Sequence, residues 1–263
     1  MDFVEIEYKH REAEWAMSDL QSHDYYELYF LAEGRREFFF ENKVFDLDAP
    51  AFSVIPPFSM HKTAGGSYKR VNVNISANLL TSGEKVFLDN LSKGVAFSLN
   101  RADTDALVAL LIKGSEIMLA DKREKQFLTL SFVHTAIYVL ESCKLKSLDY
   151  NEPVRGKRKD TAALEVAAYI NEHYREPLTL EGISELFYMS KNTLCSKFKA
   201  EMRCSVIEYL SFVRINHAKE LLATSDMSME RISELCGYSS ANYFSLSFKR
   251  SVGISPTGYR NAK

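Results

Sequence analysis

The sequence feature that most constrains the fold of this chain is an internal repeat in its last third. The stretch ISELFYMSKNTLCSKFKAE at residues 183–201 aligns with ISELCGYSSANYFSLSFKRS at residues 232–251. The ISEL tetrapeptide recurs after 49 residues, and from Ser190 against Ser240 onward the offset is 50, so the second copy has one extra turn residue. A short helix, a tight turn and a second helix, present twice, indicate a duplicated helix-turn-helix unit.

The second helix of each copy has two distinct faces. Apolar residues four apart predict a core-facing side, Leu194 with Phe198 in one copy and Phe244 with Phe248 in the other. The opposite side carries small polar groups, which suit a helix that approaches base edges in the major groove of DNA. The predicted base-facing residues are Lys191, Asn192, Cys195, Ser196, Ala241, Asn242, Ser245 and Leu246, and the predicted phosphate-contacting residues are Lys199, Lys249 and Arg250.

The first helices and the turns differ slightly between the copies. We expect the first helices to bury Ile183 and Leu186 in one copy, and Ile232 and Leu235 in the other. Gly237 can adopt the positive φ that a tight turn needs. The first copy has no glycine in its turn, so the sequence predicts a different turn there. The amphipathic stretch 205–225 between the copies predicts one long helix that fixes their spacing.

The first half of the chain has a different pattern. Residues 25–77 contain short aromatic and β-branched runs separated by glycine, proline and asparagine turns, which predict a small antiparallel barrel or sandwich. Residues 103–143 change to a helical period and predict two amphipathic helices, which can pack on the β domain or on another subunit. Residues 149–160 combine proline, glycine and basic residues and indicate an interdomain linker.

Charge and composition restrict the function classes. Residues 155–263 carry 16 Lys and Arg against 12 Asp and Glu, a net of +4, while residues 1–154 carry a net of −6, so a polyanion partner fits the carboxy-terminal part. The four cysteines have no CxxC spacing and indicate reduced thiols in a cytoplasmic protein. The chain has no apolar run long enough to span a membrane, no signal peptide, and no P-loop, GxGxxG or Ser-His-Asp pattern.

Several motifs of the last third occur together in one known family. They are LCSKFK at 194–199, the Arg214-Ile215 pattern of the central helix, ISELCGYSSANYFSLSFKR at 232–250, and Gly253-Ile254-Ser255-Pro256 followed by Tyr259-Arg260. Residues 161–263 therefore resemble the DNA-binding domain of the AraC family of transcription regulators. The first copy departs from the family pattern, because Arg203 occupies the position that is equivalent to Gly253.

A weaker resemblance covers residues 20–80, which are similar to the cupin-type sensing domain of many such regulators. The two resemblances imply an α+β protein with four parts. These are a cupin-like effector-sensing β domain at 1–100, a helical dimerisation segment at 101–148, the linker at 149–160, and a double helix-turn-helix domain at 161–263. They also imply a homodimer that binds double-stranded DNA, works with RNA polymerase, commonly activates transcription and has no enzymatic activity or cofactor.

The sensing-domain resemblance implies a small-molecule effector, often a sugar in that family, although the sequence does not identify it. The effector-binding residues expected at the rim or cavity are His23, Tyr26, Glu27, Phe38 and His61. His23, Glu27 and His61 can also be interpreted as metal ligands. Metal-binding cupins usually present two histidines separated by one residue, and this pair is missing, so the sequence favours no metal.

Two alternatives to the effector-responsive regulator remain open at the level of sequence. One is a metal-dependent cupin enzyme with a helical appendage, which leaves the repeat unexplained. The other is a regulator that binds DNA without an effector, in which the β domain only dimerises. The operator, the target genes and the direction of regulation do not follow from the sequence.

Overall fold

The computed structural model describes residues 2–13, 17, 20–40, 43–93, 96–119, 125–143, 146–147, 162–202 and 204–261. The chain divides into two compact units, residues 2–158 and 159–263, which we call the sheet unit and the helical unit. The predicted linker at 149–160 and Arg203 lie outside the described residues. No helix in the described ranges is long and apolar enough to cross a membrane.

The sheet unit contains antiparallel strands, as the turn-separated aromatic runs predict. Their bounds are β1 Val4–Arg11, β2 Tyr26–Phe40, β3 Lys43–Asp48, β4 Ala51–Ile55, β5 His61–Ala64, β6 Tyr68–Ile75, β7 Phe97–Ser98 and β8 Lys146–Ser147. The strand order is β1-β6-β2-β4-β7-β8, and β3 and β5 both pair with the second half of β2. Over the described strands these ladders do not close, so the predicted barrel is observed as an open sheet.

Strand β2 organises the sheet because it is long enough to pair twice. The sequence predicts a turn at Glu33-Gly34, but the strand continues through this point with a shift in register between Leu31 and Glu33. Its first half pairs with β4 and β6, and its second half pairs with β3 and β5. Gly34 has φ +93°, and a Cβ there would lie 2.2 Å from the backbone oxygen of Ser67. A glycine therefore permits the close passage at this irregularity.

One face of the sheet is apolar and lies under three helices. Helices α1 Ser82–Ser92, α2 Arg101–Leu119 and α3 Lys125–Ser142 follow the strands in sequence. Leu107 and Leu111 of α2 and Val133 and Ile137 of α3 share one buried cluster with the apolar side chains of β2 and β6. The helical segment therefore packs on its own sheet, which was one of the two possibilities that the sequence left open.

The helical unit consists of seven helices over its described residues. They are α4 Ala162–His173, α5 Leu180–Leu186, α6 Lys191–Met202, α7 Val206–Thr224, α8 Met229–Leu235, α9 Ala241–Val252 and α10 Pro256–Asn261. Helices α5 and α6 form the first predicted helix-turn-helix, α8 and α9 form the second, and α7 lies between them in sequence. Helix α7 begins with a capping box, in which Ser205 and Glu208 satisfy each other's backbone amides.

The first-copy turn corrects one expectation from the sequence. Both turns use the same backbone hydrogen bonds, Met189 N to Ser184 O in the first copy and Tyr238 N to Ser233 O in the second. Tyr188, with φ +52°, occupies the left-handed position that Gly237 occupies with φ +75°. The two copies therefore leave the first helix in the same way, and a tyrosine replaces the glycine in the first copy.

The first helices are also only partly as predicted. Ile183 and Ile232 are buried, in agreement with the repeat. Leu186 is 48% exposed, although the sequence predicts that it is buried. In the seven-residue helix α5, which ends at Leu186, Ile183 is therefore the buried apolar residue.

Candidate nucleic-acid interface and effector site

The first candidate recognition helix is α6, and its two faces separate as its apolar spacing predicts. Leu194 and Phe198 are buried, at 1% and 0% exposure. Asn192, Ser196 and Lys199 are exposed. Lys191 is also exposed and Cys195 is half-buried. The predicted base-facing side of α6 therefore lies at the surface of the helical unit.

The second candidate recognition helix, α9, repeats this arrangement. Phe244 and Phe248 are fully buried and pack edge to face with each other, with ring centroids 5.8 Å apart. Asn242 is exposed, and Leu246 is 70% exposed in spite of its apolar side chain. Ala241 and Ser245 are half-buried on the same side.

The two recognition helices begin in the same way. The Ser190 hydroxyl accepts a hydrogen bond from Thr193 N, and the Ser240 hydroxyl accepts one from Tyr243 N, both at 3.2 Å. Each serine satisfies one of the amides that a helix leaves free at its N-terminus. At the other end of α9, Gly253 caps the helix in the left-handed conformation with φ +88°. The N-terminal caps of α6 and α9 are therefore equivalent residues of the repeat, 50 positions apart.

The predicted phosphate contacts lie toward the C-terminal ends of these helices. Lys199 is in the last turn of α6, and Lys249 and Arg250 are in the last turn of α9. All three side chains are exposed. They lie at the opposite end of each helix from the small residues that the sequence predicts to face base edges.

Lys191 differs from the other predicted base-facing residues because its ammonium group is already engaged. Its Nζ lies 2.6 Å from Glu181 Oε1 on α5, and this hydrogen bond and charge raise the pKa of Lys191. Both side chains are exposed, so the pair is broken at little cost. The pair therefore occupies the ammonium group that the sequence predicts to face a base.

Sequence reasoning missed exposed residues at and before the recognition helices. Thr193 and Tyr243 correspond through the repeat, and Tyr243 is 59% exposed. Tyr188, in the first turn, is 98% exposed. The offset of 50 residues pairs Thr193 with Tyr243 in the sequence itself, so the repeat contained the signal for this pair.

Arg214 on helix α7 joins the segment that follows α4 to the turn of the second helix-turn-helix. Its Nε donates to Tyr174 O at 2.8 Å, and its Nη2 donates to Glu176 O at 2.8 Å. The guanidinium carbon also lies 5.6 Å from the ring centre of Tyr238, beside the second turn. Burial lowers the pKa of Arg214, but a guanidinium keeps its charge at any physiological pH.

In the sheet unit, three of the five predicted effector-site residues come together. His23 precedes β2, Glu27 lies on β2 and His61 begins β5. His23 Nε2 lies 3.1 Å from Glu27 Oε2, and His61 Nε2 lies 3.4 Å from the same oxygen. The side chains of all three are at most 10% exposed.

The other two predicted effector residues do not join this cluster. Tyr26 precedes Glu27 on β2 and therefore points to the opposite face, where its hydroxyl donates to Asp89 of α1 at 2.6 Å. Phe38 is fully buried between Tyr29 and Phe45, with ring centroids 5.4 Å from each. Tyr26 and Phe38 are therefore core residues in this structure.

Strand β6 carries buried polar residues on the same face as the cluster, and these were not predicted from the sequence. Asn72 donates its Nδ2 to Glu27 Oε1, and Arg70 donates its Nη2 to Glu7 Oε2 at 2.9 Å. Burial by itself raises the pKa of Glu27, but the hydrogen bonds and charges of His23 and His61 outweigh burial and hold that pKa well below its usual range. The β6 residues alternate with Val71 and Val73, and this alternation was their only signal in the sequence.

Comparison with known proteins supports the assignment of the helical unit. Residues 183–262, which include both copies of the repeat, match the family described as helix-turn-helix domain. An uncharacterized HTH-type transcriptional regulator, YdiP of Escherichia coli, is 37% identical over 103 residues, or 39% of this chain and 34% of YdiP. The transcriptional activator RhaS of Escherichia fergusonii is 31% identical over 120 residues, or 45% of this chain and 43% of RhaS.

Residues 183–262 are thus a helix-turn-helix domain of the AraC type, similar to those of transcriptional regulators. A solved structure with sequence similarity is the C-terminal domain of AraT, a response regulator from Geobacillus stearothermophilus, at 33% identity and TM-score 0.38. It covers 38% of this chain and 84% of the AraT domain. The chain spans about a third of the length of the first curated relatives that it matches. Both of these relatives are described as regulators of transcription.

Proposed function

We propose that the protein is a sequence-specific DNA-binding transcription regulator, in which the helical unit binds double-stranded DNA. The sheet unit would hold a small-molecule effector and contribute the contact between two copies of the chain. Activation is the proposed mode, because the similar protein RhaS is described as a transcriptional activator. Recruitment of RNA polymerase belongs to this proposal.

The observation that carries the proposal is the repeated, exposed face of α6 and α9. Asn192 and Asn242 are equivalent through the repeat, and both are exposed one residue after the start of their helices. An asparagine amide forms two hydrogen bonds with adenine, and an exposed leucine such as Leu246 suits the methyl group of thymine. A helical bundle without a partner has no reason to repeat this face in register.

The charge distribution supports the same proposal. Lys199, Lys249 and Arg250 give both helices cationic C-terminal turns, and residues 155–263 carry a net of +4. Cationic side chains near phosphates release counterions, and this release contributes most of the salt-dependent affinity of such proteins. Affinity would then come from these residues, and sequence preference from the small residues at the other end.

The buried polar cluster of the sheet unit supports the effector part of the proposal. His23, Glu27 and His61 offer polar atoms on a sheet whose other face is filled by apolar helices. Binding sites commonly combine mostly apolar walls with a few convergent polar groups of this kind. A ligand that prefers one arrangement of the protein over another would shift the population of that arrangement.

The proposal predicts sequence-selective binding, which selection from a random duplex library with the full chain would detect. Asn242→Ala should cost about 1–3 kcal/mol on the selected site and relax the preference at one base pair. Lys249→Ala should instead weaken binding to all sequences and reduce the salt slope by about one. Binding isotherms at several salt concentrations separate these two effects.

Lys125→Ala is a matched control, because it removes one exposed lysine from α3 in the sheet unit. This variant should bind the selected site as the parent chain does. If the selection enriched no sequence, the proposed function would be wrong. Equal behaviour of the Asn242 and Lys249 variants would contradict the division between base and phosphate contacts.

A further inference from the structure

The protonation of the two histidines in the sheet-unit cluster is constrained by their backbone partners. His23 Nδ1 lies 2.8 Å from Tyr25 O, and His61 Nδ1 lies 3.3 Å from Ser59 O. A carbonyl oxygen only accepts hydrogen bonds, so these partners assign a proton to Nδ1 of each ring. In the neutral form of either ring, Nε2 then carries a lone pair.

In this neutral form, both lone pairs are directed at an anion. Each Nε2 faces Glu27 Oε2, and the ligand atoms of His23, Glu27 and His61 all lie within 4.8 Å of one another. Two lone pairs and a carboxylate oxygen repel each other in a buried site. A positive charge between them removes the repulsion, and one divalent ion supplies it without the burial of two imidazolium groups.

The two separations that join the histidines to Glu27 suit a transition metal. Bonds of roughly 2.0–2.2 Å to nitrogen and oxygen, at angles of 90–110°, place neighbouring ligand atoms roughly 3.0–3.5 Å apart. The two nitrogen-to-oxygen distances here are 3.1 Å and 3.4 Å. Two imidazoles with one carboxylate are a ligand set of divalent first-row metals, and three protein ligands leave coordination positions open for a small ligand.

The surroundings of the cluster resemble the supports that metal ligands need. Histidine ligands typically donate their second N–H to a carbonyl or carboxylate, which fixes the tautomer and the ring, as observed for both rings here. The His23 ring also stacks on Tyr25, with centroids 3.9 Å apart and planes 3° from parallel. Asn72 holds the other carboxylate oxygen of Glu27.

Asn72 gives an independent indication of a missing partner. The residue is only 8% exposed, and its Oδ1 has no hydrogen-bond partner among the residues that the structure describes. A buried carbonyl oxygen without a donor costs roughly 1–3 kcal/mol, so such atoms usually meet water or a ligand. Asn72 pairs with Tyr29 across the β2–β6 ladder, on the same face as Glu27.

We propose that His23, Glu27 and His61 bind one divalent first-row transition-metal ion, with open positions for a small anionic or neutral ligand. The sequence argued against a metal because no two histidines are separated by a single residue. The fold supplies the second histidine from β5 instead. The proposal concerns the sheet unit alone and does not depend on DNA binding.

The test uses the full chain after chelator treatment, titrated with Co²⁺ and Zn²⁺. The parent chain should bind one equivalent, and Zn²⁺ should raise its melting temperature because the ion binds only the folded cluster. Bound Co²⁺ should show ligand-field bands without a sulfur-to-cobalt charge-transfer band, which excludes the four cysteines as ligands. His61→Gln and Glu27→Gln should each weaken binding by at least about 100-fold.

The control is His134→Gln, because His134 also pairs with a glutamate, Glu84, but lies outside the cluster. This variant should keep the affinity and the cobalt spectrum of the parent chain. His23→Gln repeats the test if either buried variant loses the circular dichroism of the folded chain. Binding below one equivalent, a thiolate band, or equal affinity in the His61 and His134 variants would overturn the proposal.

Discussion

Tyr188 and Gly237 occupy equivalent left-handed positions, but with different physical consequences. A Cβ at Gly237 would lie 2.5 Å from Tyr174 O and 2.9 Å from Arg175, so only glycine permits that approach. Tyr188 has room, since its side chain is 98% exposed, but its backbone has φ +52°. The left-handed conformation costs a residue other than glycine or asparagine roughly 1–2 kcal/mol.

Opposite substitutions at these residues should have opposite effects on stability. Tyr188→Gly should raise the free energy of unfolding by about 0.5 kcal/mol, because relief of strain exceeds the roughly 0.4–1 kcal/mol of added chain entropy. Gly237→Ala should lower it by more than about 2 kcal/mol through strain and the clash with Tyr174. Urea unfolding of the full-length variants measures both. A loss of stability in Tyr188→Gly would mean that the exposed ring makes a stabilising contact.

At the scale of single elements, helix α1 has a start that depends on a carboxylate. Thr81 and Glu84 form a capping box, and His134 of α3 lies 2.5 Å from Glu84 Oε1. Burial raises the pKa of Glu84, but the hydrogen bonds from His134 and Thr81 outweigh burial and lower it. A carboxyl with a depressed folded-state pKa stabilises the fold above its unfolded pKa, and this contribution is lost as the pH falls through the folded value.

Glu84→Gln should therefore destabilise the sheet unit at neutral pH by about 1 kcal/mol, the usual value of such a cap. The difference in free energy of unfolding between variant and parent should become smaller as the pH falls below the ordinary pKa range of glutamate. The parent carboxyl is then protonated and loses its charge. Thermal unfolding across an acid pH series measures this difference. Glu141→Gln, on the exposed face of α3, is the control. A difference that stays constant with pH would contradict the role of the charge.

The elements differ in how far the sequence predicts them. The faces of α6 and α9 follow from local helical spacing, and Leu194, Phe198, Phe244 and Phe248 are buried as predicted. Strand β1 was missed, because its alternation becomes meaningful only when it pairs with β6 about 60 residues later in the chain. The sequence predicts two strands in place of the continuous β2, because a glycine is as typical of a turn as of a bulge.

Long-range placement limited the prediction of the effector site in the same way. His23 and Glu27 are four residues apart, but His61 comes from a different strand and is placed beside them by its bridge to Gln21. The family resemblance assigns Tyr26 to the site, although strand alternation places it opposite Glu27. A pattern along one strand therefore does not reveal which residues of another strand complete the site.

At the scale of the whole molecule, the exposed side of α3 suits a contact between two copies. Phe127 is 68% exposed and Tyr138 is 73% exposed, with exposed Ser131 and Thr135 between them along one stripe. The buried side of α3 is occupied by the core of its own sheet, so only the outer stripe is free to meet a second chain. A self-complementary stripe is what a two-fold dimer requires. A dimer would place two helical units on one DNA molecule and add avidity.

The full chain should therefore be a dimer in light scattering, and the double substitution Phe127→Glu with Tyr138→Glu should make it a monomer. Each substitution removes apolar contact area, and two-fold symmetry brings the new charges close to their own copies. Val86→Glu is the control, since Val86 is a 61% exposed apolar residue on α1 and not on α3. The monomer should keep the circular dichroism spectrum of the folded chain. Because dissociation removes only avidity, its affinity for a duplex with two sites should fall by about 10²–10⁴-fold, and its affinity for a single site should not change. If the double variant remained dimeric, or if Val86→Glu also dissociated the dimer, the dimer contact would not be the α3 stripe.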